Sequence, residues 1–141
     1  FSATSYLAFD STTGEASYAT IAMPKSWNEG QIAAQFYWTH PATTTNFGVS
    51  WRLAAAAYSD DDAFDGANFA FSAVAADTGG TTSDIYISPE TTLTIGNSPA
   101  ENDLVNFRFE RVPTDASDTM AVDAYLIGVK IFYTTNAAND T

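Results

Sequence analysis

Residues Ile32–Thr39, IAAQFYWT, carry two rows at a period of two. Ile32, Ala34, Phe36 and Trp38 fall on one side of an extended chain, and Ala33, Gln35, Tyr37 and Thr39 on the other. Side chains alternate across a strand, so the first row makes a wholly apolar face for a sandwich core. On a helix the same residues would scatter around the circumference. His40-Pro41 closes the run, and Ala42–Asn46 reads as a loop. Outward from this stretch the pattern recurs. Phe47–Tyr58 places Val49, Trp51, Leu53, Ala55 and Ala57 on one face, with Ser50 and Arg52 beginning the other. Leu104–Val112 places Val105, Phe107 and Phe109 inward and Asn106, Arg108 and Glu110 outward. Four alanines at 54–57 have helical propensity, but a strand passing a close neighbour also selects small residues, and that is the reading taken.

The remaining segments fit the same plan. Ser5–Asp10 and Glu15–Met23 read as strands around a turn at Thr12–Gly14, followed by a polar connection, Lys25–Gly30, anchored by Trp27. Phe69–Ala75, Ile85–Ser88 and Leu93–Ile95 read as further strands, separated by the turn Asp77–Ser83 and by Pro89. Gly96–Asp103 and Pro113–Thr119 are loops. Met120–Thr135 reads as a long last strand with a bulge or crossing point at Gly128, and Asn136–Thr141 as a polar tail, frayed or docked on a neighbour. Eight to ten short strands with turn residues between them predict an all-β fold: an antiparallel, jelly-roll-like β-sandwich in one domain spanning 1–141.

Composition narrows the function. Charged residues are 16% of the 141, so uncharged polar groups must cover much of the surface. Seventeen acidic residues against five basic ones give a net charge of −12. Two lysines and three arginines do not build a cationic groove, which argues against nucleic acid, and anionic membranes would repel the domain. Cations, basic protein surfaces and neutral glycans stay open as partners. The absence of cysteine removes disulfides, thiolate metal sites and thiol nucleophiles. No apolar run is long enough to span a bilayer, and no signal-peptide pattern opens the chain. Phe1 at the start suggests processing or a piece of a longer protein.

Catalytic constellations are hard to assemble, and no enzyme activity is expected. The one histidine, His40, sits before a proline, and no G-x-S-x-G elbow exists to partner it. Paired carboxylates for glycoside hydrolysis lack an evident aromatic cleft. Asp60, Asp61, Asp62 and Asp65 cluster in the loop Ser59–Gly66 and form a candidate calcium site, since calcium takes several oxygen ligands. Their spacing departs from the EF-hand loop, and a solvated acidic turn explains the same residues. Asp115 with Asp118 is a weaker second candidate, and no other cofactor is expected. Trp27, Tyr37, Trp38, Trp51, Tyr58, Tyr86 and Tyr125 supply rings that could stack on sugars. Trp38 and Trp51 share faces with aliphatic residues and read as core, which leaves Tyr37 as the better surface platform.

Self-assembly accounts for more. Within Tyr125–Tyr133, only Lys130 is charged, and Leu126, Ile127, Val129, Ile131 and Phe132 surround it. One sandwich face cannot hold all of these, so the strand is either buried on both sides or meets another subunit. Tyr37, Tyr125, Leu126 and Phe132 are therefore the candidate interface or ligand residues.

MPKSWNEG (23–30), FYWTHPATTTNFGVSW (36–51), SDDDAFD (59–65), PAENDLVNFRFERV (99–112) and DTMAVDAYLIGVKIFYTTNAAND (118–140) carry a resemblance over nearly the whole chain. The sequence resembles a domain of tailed-bacteriophage proteins, the carboxyl-terminal module of small virion-associated proteins in phages of marine and other aquatic bacteria. LIGVKIFYTTNAAND (126–140) is the most distinctive part. The resemblance implies a structural role on the virion surface, as capsid decoration or as part of a tail or head fibre. It implies a homo-oligomer, by preference a homotrimer, with other virion proteins and optionally a glycan as partners. It brings no catalytic residues. A carbohydrate-binding module, calcium-dependent or not, and an extracellular filament subunit are the alternatives.

Overall fold

The computed structural model describes residues 4–42, 45–65 and 68–141. It contains ten strands and, among the described residues, no helix. In chain order they are β1 (Leu7–Phe9), β2 (Ala16–Ala22), β3 (Ile32–Thr39), β4 (Gly48–Tyr58), β5 (Ala70–Phe71), β6 (Ala75–Thr78), β7 (Tyr86–Ile87), β8 (Thr91–Leu93), β9 (Leu104–Arg111) and β10 (Ala124–Phe132). Residues 43 and 44 of the expected Ala42–Asn46 loop, and Gly66 at the end of the acidic loop, lie outside the described residues.

Two antiparallel sheets pack face to face. One runs β1-β10-β3, with β7 and β8 both paired to the far side of β3. The other runs β2-β9-β4, with β5 and β6 both paired to the far side of β4. Counting β5 with β6 and β7 with β8 leaves four positions per sheet. The chain changes sheet at every connection except β4 to β5, β5 to β6 and β7 to β8. This is the strand order of a jelly roll, a folded ribbon of antiparallel pairs.

The alternating rows meet between the sheets. Ile32, Ala34, Phe36 and Trp38 of β3 face Val49, Trp51, Leu53, Ala55 and Ala57 of β4, and all nine are buried. Trp51 stacks on Phe36 at 5.6 Å and takes the edge of Phe9 at 5.5 Å. The 54–57 alanines are strand, as the small-neighbour reading required. Ala55 and Ala57 point to the core, while Ala54 opposes Phe71 and Ala56 bridges Gly96. A side chain on Gly96 would come within 2.1 Å of the Asn68 carbonyl oxygen, so only glycine allows this approach.

Several expected boundaries moved. Phe69–Ala75 is two strands, β5 and β6, and β6 runs into the expected Asp77–Ser83 turn. The break is at Ser72, whose hydroxyl takes the Leu53 N–H while its own N–H donates to the Leu53 carbonyl. The side chain replaces a rung of the ladder. Leu93–Ile95 shifts to Thr91–Leu93, because Ile95 leads into the Gly96 crossing. Met120–Thr135 contracts to β10, since Met120 donates its N–H to the Gly48 carbonyl and the 118–122 segment wraps Arg111. The register of β10 against β3 does shift between Leu126 and Gly128, where the bulge was expected. The tail is tied to its own chain at two points: Asn136 N–H donates to the Ser26 carbonyl, and Asp140 accepts from the Ser26 N–H at 2.8 Å.

Candidate assembly surface

β1 covers β10 only from Ala124 to Leu126. Beyond the bulge, Gly128–Phe132 pairs with β3 on one side and meets no strand on the other among the described residues. In the opposite sheet β2 is also an edge, paired only to β9. These two free edges flank one side of the sandwich. Between them lies an open groove of about 430 Å³. Register with Val105, Phe107 and Phe109 turns Ser17, Ala19 and Ile21 of β2 inward, yet nothing in the first sheet lies over them and Ile21 stays 40% exposed. Leu7, Ile127, Val129 and Ile131 complete the wall, and no charged side chain lines it.

The outer face of the first sheet is apolar as well. Tyr6 and Tyr125 stack at 4.2 Å with planes 10° apart. Partial burial, then the neighbouring Tyr6, holds the Tyr125 phenol pKa above its ordinary value. Half-buried Tyr37 pairs across to Ile87, which is 50% exposed, and Ile85 is 64% exposed. Half-buried Phe132 lies under the Lys130 ammonium at 4.5 Å. Tyr37, Tyr125 and Phe132 thus share one surface. Leu126 does not join it: opposite Trp38 and 4% exposed, it belongs to the core and only borders the groove. The row of β10 that looks inward is Ala124, Leu126, Val129 and Ile131, and the outward row is Tyr125, Gly128, Lys130 and Phe132. Eight of the nine residues fall in these rows, and the ninth, Ile127, is the bulge. Of the other rings considered for sugars, Trp27, Trp38, Trp51 and Tyr58 are buried.

The acidic loops form no metal cage. Asp60, Asp61, Asp62 and Asp65 are exposed, and among the described residues no three metal-ligating side chains converge. Asp62 instead accepts from the Ser59 N–H at 2.8 Å, closing the turn. Asp115 accepts from the Ser117 N–H and the Ser50 hydroxyl, both at 2.9 Å, and these bonds lower its pKa. Asp118 is a buried ion-pair partner, which corrects its place beside Asp115 as a calcium candidate. His40 is fully buried, stacked on Tyr86 at 5.9 Å and against Phe47 at 5.5 Å. Its Nδ1 lies 3.0 Å from the Ala42 carbonyl oxygen, which can only accept, so Nδ1 carries the proton.

Periodicity did not reveal the polar core. Arg111 uses all five guanidinium N–H groups. Nε and Nη2 grip Asp118 at 3.0 and 2.8 Å, and the rest reach the Phe9, Met120 and Val122 carbonyls. Glu110, expected outward, does face out but is buried between Arg52 and Arg108, with Phe71 beneath both guanidinium groups at 4.6 and 5.7 Å. No family model, curated protein or solved structure matches the chain.

Proposed function

We propose that this chain is a jelly-roll module of a bacteriophage virion, displayed on the capsid or on a tail or head fibre. It works by self-assembly and surface attachment, not by catalysis. The observation that supports this most is where the unpaired apolar surface lies. It forms an uncharged groove between two free strand edges, continuous with an aromatic face on the adjoining sheet. Catalytic pockets combine apolar walls with convergent polar groups, and no carboxylate, histidine, lysine or arginine lines this groove. Apolar surface along sheet edges serves a neighbouring chain. The three arginines are spent inside the fold or on its flank, so attachment rests mainly on shape and apolar contact.

The test is location. Antibody labelling of particles purified from the encoding source should decorate the capsid or an appendage, and peptides of this chain should co-purify with the particles. Its absence from intact particles, while present in the lysate, would refute the virion role. Glycan-array binding abolished by Tyr37→Ala would instead move the function toward sugar recognition.

A further inference from the structure

Sheet edges are aggregation hazards, and folded proteins blunt them with short strands, charge, proline or bulges. This molecule blunts every edge but one. β1, β5, β6, β7 and β8 are two to four residues long. The open stretch of β10 follows a bulge and carries Lys130, the one cation of the chain with no carboxylate partner among the described residues. β2 has none of these guards. Its seven residues, ASYATIA, contain no charge, proline or glycine, its pairing to β9 is unbroken, and Tyr18 is 57% exposed.

We infer that β2 is a self-pairing edge: two copies join β2 to β2 antiparallel about a two-fold axis at Ala19, closing the two apolar grooves on each other. This deepens the self-assembly reading above and rests on it. The charges select the occupant. About this axis Ala16 opposes Ala22, Ser17 opposes Ile21 and Tyr18 opposes Thr20, so no like charges meet. Glu15 of each copy arrives at the strand end that Lys25 of the other follows. Two-fold pairing through β10 would instead bring Lys130 against its own copy, which is unfavourable. The inner row, Ser17, Ala19 and Ile21, is apolar or small and allows close approach over the groove. A strip about 24 Å long and roughly 20 Å across covers about 500 Å² per copy, at the low end of specific interfaces, as for a reversible association.

Sedimentation equilibrium from about 1 to 100 μM tests this. The chain should show concentration-dependent mass rising from 15.1 kDa toward twice that value. Ala19→Lys sets two ammonium groups on the axis, and Thr20→Pro removes an edge donor; each should weaken the dimer at least about tenfold. Glu15→Lys should weaken it and Glu15→Lys with Lys25→Glu should restore it, while Lys130→Glu leaves it unchanged. Circular dichroism checks that each variant is folded, and Ala19→Lys decides if the proline variant is not. A three-fold mass, or a dimer indifferent to Ala19→Lys and Thr20→Pro, overturns the β2 edge and leaves self-assembly standing. A monomer throughout overturns both.

Discussion

Replacing Arg111 with Met tests what locks the two ends of the jelly roll together. Met keeps the aliphatic length and removes every donor. The Asp118 side chain is 1% exposed and would lose both guanidinium bonds, keeping the Ser50 N–H at 3.0 Å. Breaking a buried pair from one side costs about 3–5 kcal/mol, because the remaining charge has no partner and no water. The Phe9, Met120 and Val122 carbonyls lose donors as well, each a further cost of up to about 1–3 kcal/mol where water cannot reach. The total is a large share of a native stability of about 5–15 kcal/mol. With an unfolding entropy of about 0.3 kcal/mol/K for this length, the pair term alone lowers Tm by about 10–17 °C. Urea denaturation followed by tryptophan fluorescence reads it directly. Arg111→Met with Asp118→Leu should recover part of the loss, since an apolar pair removes the stranded carboxylate but not the carbonyls' need. A cost below about 1 kcal/mol for Arg111→Met would refute the reasoning, since a pair worth so little behaves as a surface one.

Gly96→Ala should destabilise by about 2 kcal/mol in the same assay, because its Cβ meets the Asn68 carbonyl oxygen at 2.1 Å and backbone must move. Glu110→Gln leaves Arg52 and Arg108 flanking a neutral group and should cost about 1–3 kcal/mol, a loss that Arg108→Gln in the same chain reduces. The Asp10 carboxylate accepts from the Thr12 hydroxyl and the Thr12 and Thr13 N–H groups, which lower its pKa to about 2. A depressed folded-state pKa adds stability that is complete above the ordinary aspartate value and lost as pH falls through about 2. Melting curves between pH 5 and 2 should therefore converge for the wild type and Asp10→Asn at the acid end, and equal separation at every pH would contradict this. Millimolar calcium should shift Tm by less than about 1 °C, and a rise of several degrees would mean that the Asp60–Asp65 loop gathers around the ion.

The fold was legible wherever one face of a strand is buried and the other is not. β3 has its sequence-read bounds because its two rows differ sharply, and Trp38 and Trp51 are core for the same reason. Arg111 shows the limit. It shares the inward phase of Val105, Phe107 and Phe109, but the inward row read from the sequence stops at Phe109, because a cation in the core makes sense only once its partner is known. That partner is seven residues on, beyond a turn; two further acceptors follow it in the same segment and a third comes from β1. Glu110 was read as outward from its phase, and it is outward. Its burial comes from Arg52 on a different strand and from Phe71 on a third. Spacing along one strand carries no record of either.

The assembly surface is illegible for a deeper reason. β2 alternates as regularly as β3, and nothing in ASYATIA says that its inward row has no sheet above it. That depends on how far β1 extends along β10, which is set by the bulge after Leu126. A single extra residue on β10 turns Val129 and Ile131 inward while ending the cover that β1 provides, and so creates the groove and the uncovered flank together. The two-faced composition of Tyr125–Tyr133 was the visible trace of this. It read as a strand either buried on both sides or meeting another subunit, and the structure shows a bulged strand with one edge uncovered beyond Leu126. An insertion or deletion at Ile127 should therefore alter β1 docking and groove shape together, and a variant that changed one without the other would separate two features that the register holds as one.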